Sequence, residues 1–373
     1  MAMPRPDLAP GAPMSSVDSP ALLVDLTVFE RNSAVMMDFV RSHGIRLRAH
    51  GKSHKCGAIA RLQQAAGAIG LCCQKVSEAE AFVAAGIRDV LVTNEVIDLP
   101  KLRRLARLSG RARIGICIDS VLGLERLAEA AQEAVAPIDV YVEIDVGAAR
   151  CGVLSTADAL SLIDKTGMGV TKLRYAGIQA YQGQAQHLRQ PAQRQAAIDV
   201  AVRRVIELRD AMAQRGLPIG IVTGAGTGTF YLETGSGVYD EIQPGSYIFM
   251  DRDYRDNETA PDTPRFEHSL TLLTTVMSAR PDHAVVDAGH KAHAVDSGMP
   301  AIFDRADLVY GNPSDEHGVI RRKGDGPLPL LGERLRLIPG HCDPTVNLHD
   351  WLIVHRGEEV VDIWPVEARG ALT

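Results

Sequence analysis

The stretch "RAHGKSHKC", residues 48–56, sets Lys52 and Lys55 three apart among His50, His54 and Cys56. Such a cluster suits metal ligation, a basic surface, or a lysine that anchors a covalent cofactor. The last use requires an amine whose pKa falls from about 10.4 through burial or nearby cations. Far downstream, "PGHCDPTVNLHD" (339–350) offers His341 and Asp343 on either side of Cys342. If this segment is extended, residues two apart share a face, so His341 and Asp343 meet one ion while Cys342 points away. A His–carboxylate pair with open positions suits Mn²⁺ or Mg²⁺; ligation through Cys342 would favour Zn²⁺. His349 and Asp350 follow as supporting groups or as plain loop polarity.

"TGAGTGT" (223–229) is glycine-rich but lacks the third glycine of a dinucleotide fingerprint and comes late in the chain. Backbone N–H groups in such a turn suit a phosphate monoester instead. His187, closing "YQGQAQH", is either a general base or an ordinary loop histidine. Arg150, in "GAARCG", either orients a carboxylate or a cofactor ring or is simply solvated.

These residues need a scaffold, and the pattern of elements supplies one. Eight short runs rich in β-branched residues read as strands: "IRLRAH", "AIGLCC", "DVLVTN", "RIGICID", "IDVYVEID", "RYAGIQAY", "IGIVTG" and "GSYIFMD". Segments such as "KLRRLARL" and "GLERLAEAAQEA" alternate with them at helical spacing, and "SEAE" (77–80) reads as a capping box. Strand–helix alternation to a count of eight predicts a (β/α)₈ barrel, with a doubly wound open sheet as the alternative. Beyond residue 260 the runs turn short and alternating, and "RGEE" reads as a hairpin loop. The expected organisation is a flexible arm over 1–19, a barrel over 20–260 and a mostly-β domain over 261–373 carrying the metal site. "PALLVDL", near residue 20, is free to join that second domain.

In such a barrel, chemistry gathers at the C-terminal strand ends. There the sequence places "HGKSHK", "CQK", "TNEV", "DVGAARCG", "QAYQGQAQH" and "TGAGTGT", while "QPGSY" opens the eighth strand. A lysine after strand 1 facing a glycine-rich turn after strand 7 points to pyridoxal phosphate, bound through its aldehyde and its phosphate.

Composition narrows the class. A net charge of −6 argues against a nucleic-acid binder that works through a basic face, and no apolar run reaches bilayer length. The Pro-rich start has no apolar h-region of a signal peptide. Six scattered cysteines, without disulfide spacing, suggest a reduced, cytoplasmic protein.

The motifs "HGKSHK", "CCQKVSEAE", "EIDVGAARCGV", "QAYQG", "QPGSY", "DEHGV" and "GHCDPTVNLHDW" together resemble the D-threonine aldolase/D-serine dehydratase family of fold-type III pyridoxal phosphate enzymes. The resemblance runs from about residue 20 to the end. It implies an alanine racemase-like barrel with a β domain, working as a homodimer. It makes Lys52 the Schiff-base lysine and His341 and Asp343 the metal ligands. It sets Gln74, Tyr181, Gly226, Thr227, Gly245, Ser246 and Tyr247 around the cofactor. The dehydratases of this group typically show H-x-C where this chain has H-x-D, which favours the aldolase branch. Gln182 gives "AYQG" where D-threonine aldolases read "AYHG"; this variant is similar to 3-hydroxy-D-aspartate aldolases. The implied reaction is retro-aldol cleavage of a D-3-hydroxy amino acid with Lys52 as the catalytic lysine; on the residues themselves, His187 is the first candidate for the base and metal-bound water the second, and Arg150 is the further catalytic candidate. Elimination by a D-serine or 3-hydroxyaspartate dehydratase is the alternative.

Overall fold

The computed structural model describes residues 4–167, 172–261 and 263–373. The chain enters on strand β1 (Ala21–Asp25) and then builds a closed parallel barrel of eight strands. These are β2 (Arg46–His50), β3 (Gly70–Cys73), β4 (Asp89–Val92), β5 (Arg113–Ile118), β6 (Ile138–Glu143), β7 (Leu173–Ala180), β8 (Ile221–Gly224) and β9 (Glu241–Ile242). Pairing of Arg46 with Glu241 and Leu47 with Ile242 closes the ring. Apolar helix faces pack outside it; Leu102, Leu105 and Ala106 of helix Leu99–Leu108 are fully buried.

The lumen is filled in layers. Cys72, Leu91, Cys117 and Tyr141 form an apolar cluster. Buried Arg48 donates to Glu241 at 2.8 Å and also pairs with Asp89, so the charge inside the barrel is compensated. Gln179 and Gln243 exchange reciprocal amide hydrogen bonds of 3.1 and 2.8 Å.

Three details differ from the sequence reading. The eighth strand is Glu241–Ile242, not "GSYIFMD": Pro244 has no N–H for a ladder, and Ser246–Ile248 turn into a 3₁₀ helix with Tyr247, Ile248 and Phe249 buried. The capping carboxylate is Glu78, one turn into helix Val76–Ala84; it accepts from Gln74 N–H (2.8 Å) and Lys75 N–H (3.1 Å). The arm expected to be flexible is docked. Leu8, Ala12, Met14 and Val17 join an apolar cluster, and the N–H groups of Gly11 and Met14 donate to Val360 and Glu358.

The remaining strands form a second sheet: β10 (Leu270–Ala279), β11 (Ala284–Val286), β12 (Ala301–Ile302), β13 (Leu308–Gly311), β14 (Gly318–Arg322), β15 (Arg334–Ile338), β16 (Trp351–Arg356) and β17 (Glu359–Pro365). Its order is β13-β14-β11-β10-β1-β16-β17, with β15 on β10 and β12 on β15. β1 runs antiparallel to β10 and parallel to β16, so "PALLVDL" does belong to this sheet. The "RGEE" hairpin turns between β16 and β17 on Gly357, whose φ of 54° suits glycine.

Candidate active site

A cavity of about 280 Å³ opens at the C-terminal ends of the barrel strands. Its walls come in strand order: His50 and Lys52 after β2, Gln74 after β3, Thr93 after β4, Arg150 after β6 and Tyr181 after β7. The loops after β8 and β9 close the ring with Gly226, Thr227, Gly245 and Ser246.

Lys52 stands in the 3₁₀ turn Gly51–Ser53, with its ammonium 2.5 Å from Asp343 Oδ2 across 291 residues of sequence. Burial works to lower the amine's pKa, but the Asp343 charge, Tyr181 and the hydrogen bond outweigh it and raise it to about 12. The lowered amine pKa expected from the sequence is therefore overturned, because a carboxylate rather than a cation is the nearest charge. Burial alone would raise Asp343, yet Lys52 and His341 hold it well below the usual carboxylate range.

His50 lines the cavity. Burial, then the Lys52 charge, drive its pKa well below 6.5, so the ring is neutral. It lies 3.0 Å from the Gln74 amide and 3.1 Å from Thr93 Oγ1. The last two residues of "HGKSHK" face elsewhere. His54 is fully buried with its ring against Phe82, and Lys55 pairs with Glu78 at 3.1 Å.

The opposite wall has the form of a phosphate cradle. Ala225 takes a positive φ of 70°, turning the backbone into the cavity. A Cβ on Gly226 would collide with Gln186 Oε1, and one on Gly245 with Ser53 Oγ, so main chain passes where side chains cannot. Ser53 Oγ is buried without a hydrogen-bond partner and lines the cavity. An orphaned hydroxyl beside two glycines in close approach fits the phosphate end of pyridoxal phosphate. Tyr247, by contrast, turns its ring into the core. Its hydroxyl accepts from Gln63 (3.2 Å), and only its N–H serves the cradle, donating to Thr227 Oγ1 at 3.2 Å.

Arg150 sits 5.5 Å from the centroid of the Tyr181 ring and 3.9 Å from Glu143, presenting a cation at the cavity's upper wall. Gln182, the departure noted in "AYQG", points away. It donates to Val146 O (3.3 Å), while Gln184 donates to Ala148 O (3.0 Å), so both tie down the loop carrying Arg150.

The segment of His341 and Asp343 is not extended: Cys342–Val346 form a short helix with His341 just before it. The two side chains still converge, because Asp251 anchors the turn by accepting from Cys342 N–H at 2.9 Å. The Cys342 thiol donates back to Met250 O at 3.4 Å, and burial raises its pKa well above 9.0. His341 Nδ1 faces Asp296 Oδ2 at 2.7 Å. A carboxylate on one ring nitrogen orients the other for a metal, so this pairing fits a divalent ion held by His341 Nε2 and Asp343. Among the described residues no cluster of three His, Cys, Asp or Glu donors forms.

His187 lies on the 3₁₀ turn Gln184–His187, beside this edge. Nδ1 is 2.8 Å from Asp253 Oδ2, and the ring stacks on Tyr254 at 5.0 Å. Burial lowers its pKa against the opposing charge of Asp253, leaving a neutral imidazole. His349 instead bonds Ala292 O at 2.7 Å and Asp350 pairs with Arg369 at 2.5 Å, both structural contacts of the loop. Asp296 and Asp253, the partners of His341 and His187, are not singled out in the sequence reading. "VDSG" around Asp296 was the one available signal, and neither partnership is local.

Residues 24–253 match the alanine racemase N-terminal domain, and residues 269–355 match the serine dehydratase domain. The chain is 47% identical to the 3-hydroxy-D-aspartate aldolase of Paracoccus denitrificans strain Pd 1222, over 97% of this chain and 94% of that one. It belongs to the D-threonine aldolase/D-serine dehydratase family. The D-threonine aldolase of an Arthrobacter species is 44% identical over 99% of this chain and 97% of its own. The crystal structure of D-threonine aldolase from Filomicrobium marinum superimposes with a TM-score of 0.95 at 47% identity, covering 99% of this chain and all of that one. The fold is thus the alanine racemase-like barrel with a β domain, and the family relatives are lyases of D-amino acids.

Proposed function

We propose that the protein is a pyridoxal phosphate- and divalent metal-dependent aldolase. It cleaves D-3-hydroxy amino acids, of the D-threonine or D-allo-threonine type or 3-hydroxy-D-aspartate, to glycine plus an aldehyde or glyoxylate. The observation that carries this reading is the meeting of Lys52 with Asp343 at 2.5 Å, which puts the anchoring amine and the metal-binding edge in one cavity. A racemase, exchanging only a Cα proton, has no use for such an edge.

Lys52 would hold the cofactor, with Gln74 and Tyr181 around its ring and Gly226, Thr227, Gly245, Ser246 and Ser53 about its phosphate. His341 and Asp343 would hold Mn²⁺ or Mg²⁺. When bound, pyridoxal phosphate supplies an electron sink for the bond broken between Cα and Cβ, and the divalent ion supplies Lewis acidity toward the 3-hydroxyl. Arg150 pairs with the substrate α-carboxylate and orients Cα–Cβ over the cavity. His187, neutral and with Nδ1 engaged by Asp253, accepts the 3-hydroxyl proton on Nε2. Lys52 would return a proton to Cα, and the proton held by His187 would pass back to Lys52 through solvent. The balance is one proton moved from the hydroxyl to Cα, one bond broken, glycine and a carbonyl compound released. Tyr254 and Tyr181 wall the site against water.

We further propose that the enzyme acts as a cytoplasmic homodimer. Among the described residues no helix is long and apolar enough to cross a membrane. A dehydratase reading has more distant relatives behind it, among them the 28% identical D-threo-3-hydroxyaspartate dehydratase of Delftia sp. strain HT23. Product analysis separates the two. D-threonine, 3-hydroxy-D-aspartate and D-serine, each assayed with EDTA and with Mn²⁺ restored, should give glycine and a carbonyl product from the first two. Ammonia and a keto acid in their place would replace the aldolase reading.

A further inference from the structure

Asp253 touches neither the cavity nor the metal-binding pair, yet both working histidines are referenced to it. Its carboxylate is buried. Oδ2 faces His187 Nδ1 at 2.8 Å, and Oδ1 accepts from Arg189, whose guanidinium also bonds Asp253 O and reaches Asn257 Oδ1 at 2.8 Å. With Oδ1 engaged by the Arg189 guanidinium, Oδ2 is the acceptor facing the ring, and His187 Nδ1 carries the hydrogen. The main chain of the same residue runs the other way. Asp253 N–H donates to Gly340 O at 3.2 Å, and Arg252 N–H to Pro339 O at 3.0 Å, gripping the residues just before His341. The helix Arg252–Arg255 that makes these contacts is capped by Asp251, which also takes Cys342 N–H. Tyr254, the next residue, stacks on the His187 ring and lines the cavity.

We propose that Asp253 is a positioning residue that registers the general base against the metal-binding edge. Its side chain fixes His187 in the tautomer with Nε2 free, and its backbone fixes the loop that delivers His341. The barrel loop and the second sheet thus hold their two histidines through one residue, and the substrate hydroxyl lies between them. This rests on His187 as the base in the proposed reaction.

The test compares holoenzyme carrying Asp253→Asn, Asp253→Glu, His187→Ala and the double change Asp253→Asn with His187→Ala. Asparagine keeps the size and the backbone bonds but can offer its NH₂ to Nδ1 and release the tautomer. Expected for Asp253→Asn is a loss of kcat of ~10²-fold, with KM, bound pyridoxal phosphate and Mn²⁺ affinity unchanged within about two-fold. The double variant should be no slower than His187→Ala alone, since both act through one group. The downfield imidazole Nδ1–H resonance of His187 should vanish from Asp253→Asn and return in Asp253→Glu. Glycine α-proton exchange, which uses no hydroxyl, should keep its wild-type rate in Asp253→Asn. Wild-type kcat in Asp253→Asn overturns the inference, and so do losses that multiply in the double variant. Loss of cofactor or of thermal stability in both Asp253 variants assigns the residue a merely structural role and also overturns it. If His187→Ala keeps wild-type turnover, the base assignment itself falls; if His187→Ala is inactive while Asp253→Asn is not, only the positioning role falls.

Discussion

The two walls of the cavity are built differently. The cradle is main chain and small uncharged groups: Gly226 after β8, Gly245 after β9 and the Ser53 hydroxyl after β2, packed so closely that a methyl group on either glycine would collide. The edge that meets Lys52 is made of charged side chains, with Asp343, His341 and Asp296 carried by a five-residue helix and a loop of the second sheet. A wall of backbone binds a group and holds it still. A wall of ionisable side chains changes the charge state of what it touches. Under the proposed function, binding of the cofactor and activation of the hydroxyl would be divided between the barrel and the second sheet, with Lys52 at the seam.

The contrast is open to breaking. Lys52→Ala should abolish turnover, because among the described residues no other amine lines the cavity, and glycine release is the readout. Asp343→Asn should keep bound pyridoxal phosphate, seen by its absorbance, yet lose the ability of Mn²⁺ to restore activity after EDTA. If cofactor and metal response fall together, the division between the walls is wrong. Asp296→Asn should weaken the metal by roughly 10- to 100-fold in a Mn²⁺ titration while leaving cofactor affinity alone. Gly245→Ala should do the reverse, raising the cofactor Kd with no change in the Mn²⁺ midpoint.

The smallest effect is on stability. Burial lowers the His54 pKa to about 4, against 6.5 unfolded. The folded state resists protonation, so this contribution is present above pH 6.5 and lost as pH falls toward 4. Its full size is about 3 kcal/mol, from a shift of roughly 2.5 units. His54→Gln should flatten the fall of Tm over that window.

Legibility followed sequence distance. Lys52 was readable because a lysine after a β-branched run has a fixed place in a barrel, and seven of the strand runs were found as strands. The eighth was missed because Glu241–Ile242 is only two residues long, while the more apolar "SYIFM" buries its side chains in a 3₁₀ turn. His341 and Asp343 were readable as a pair but not in conformation, since "CDPTV" starts a helix held from outside by Asp251. The raised pKa of Lys52 was out of reach, because its cause lies 291 residues away in sequence. The same holds for Asp253 and Asp296, whose roles exist only as contacts across the fold.

The central claim is that one cavity joins a cofactor wall and a metal wall that can be separated. The most direct measurement is glycine release from D-threonine and 3-hydroxy-D-aspartate by EDTA-stripped wild type and His341→Ala, before and after Mn²⁺, with cofactor absorbance followed in the same samples. The account predicts full absorbance throughout, no glycine after stripping, and recovery with Mn²⁺ in wild type alone. Full turnover after EDTA, or equal recovery in His341→Ala, would contradict it.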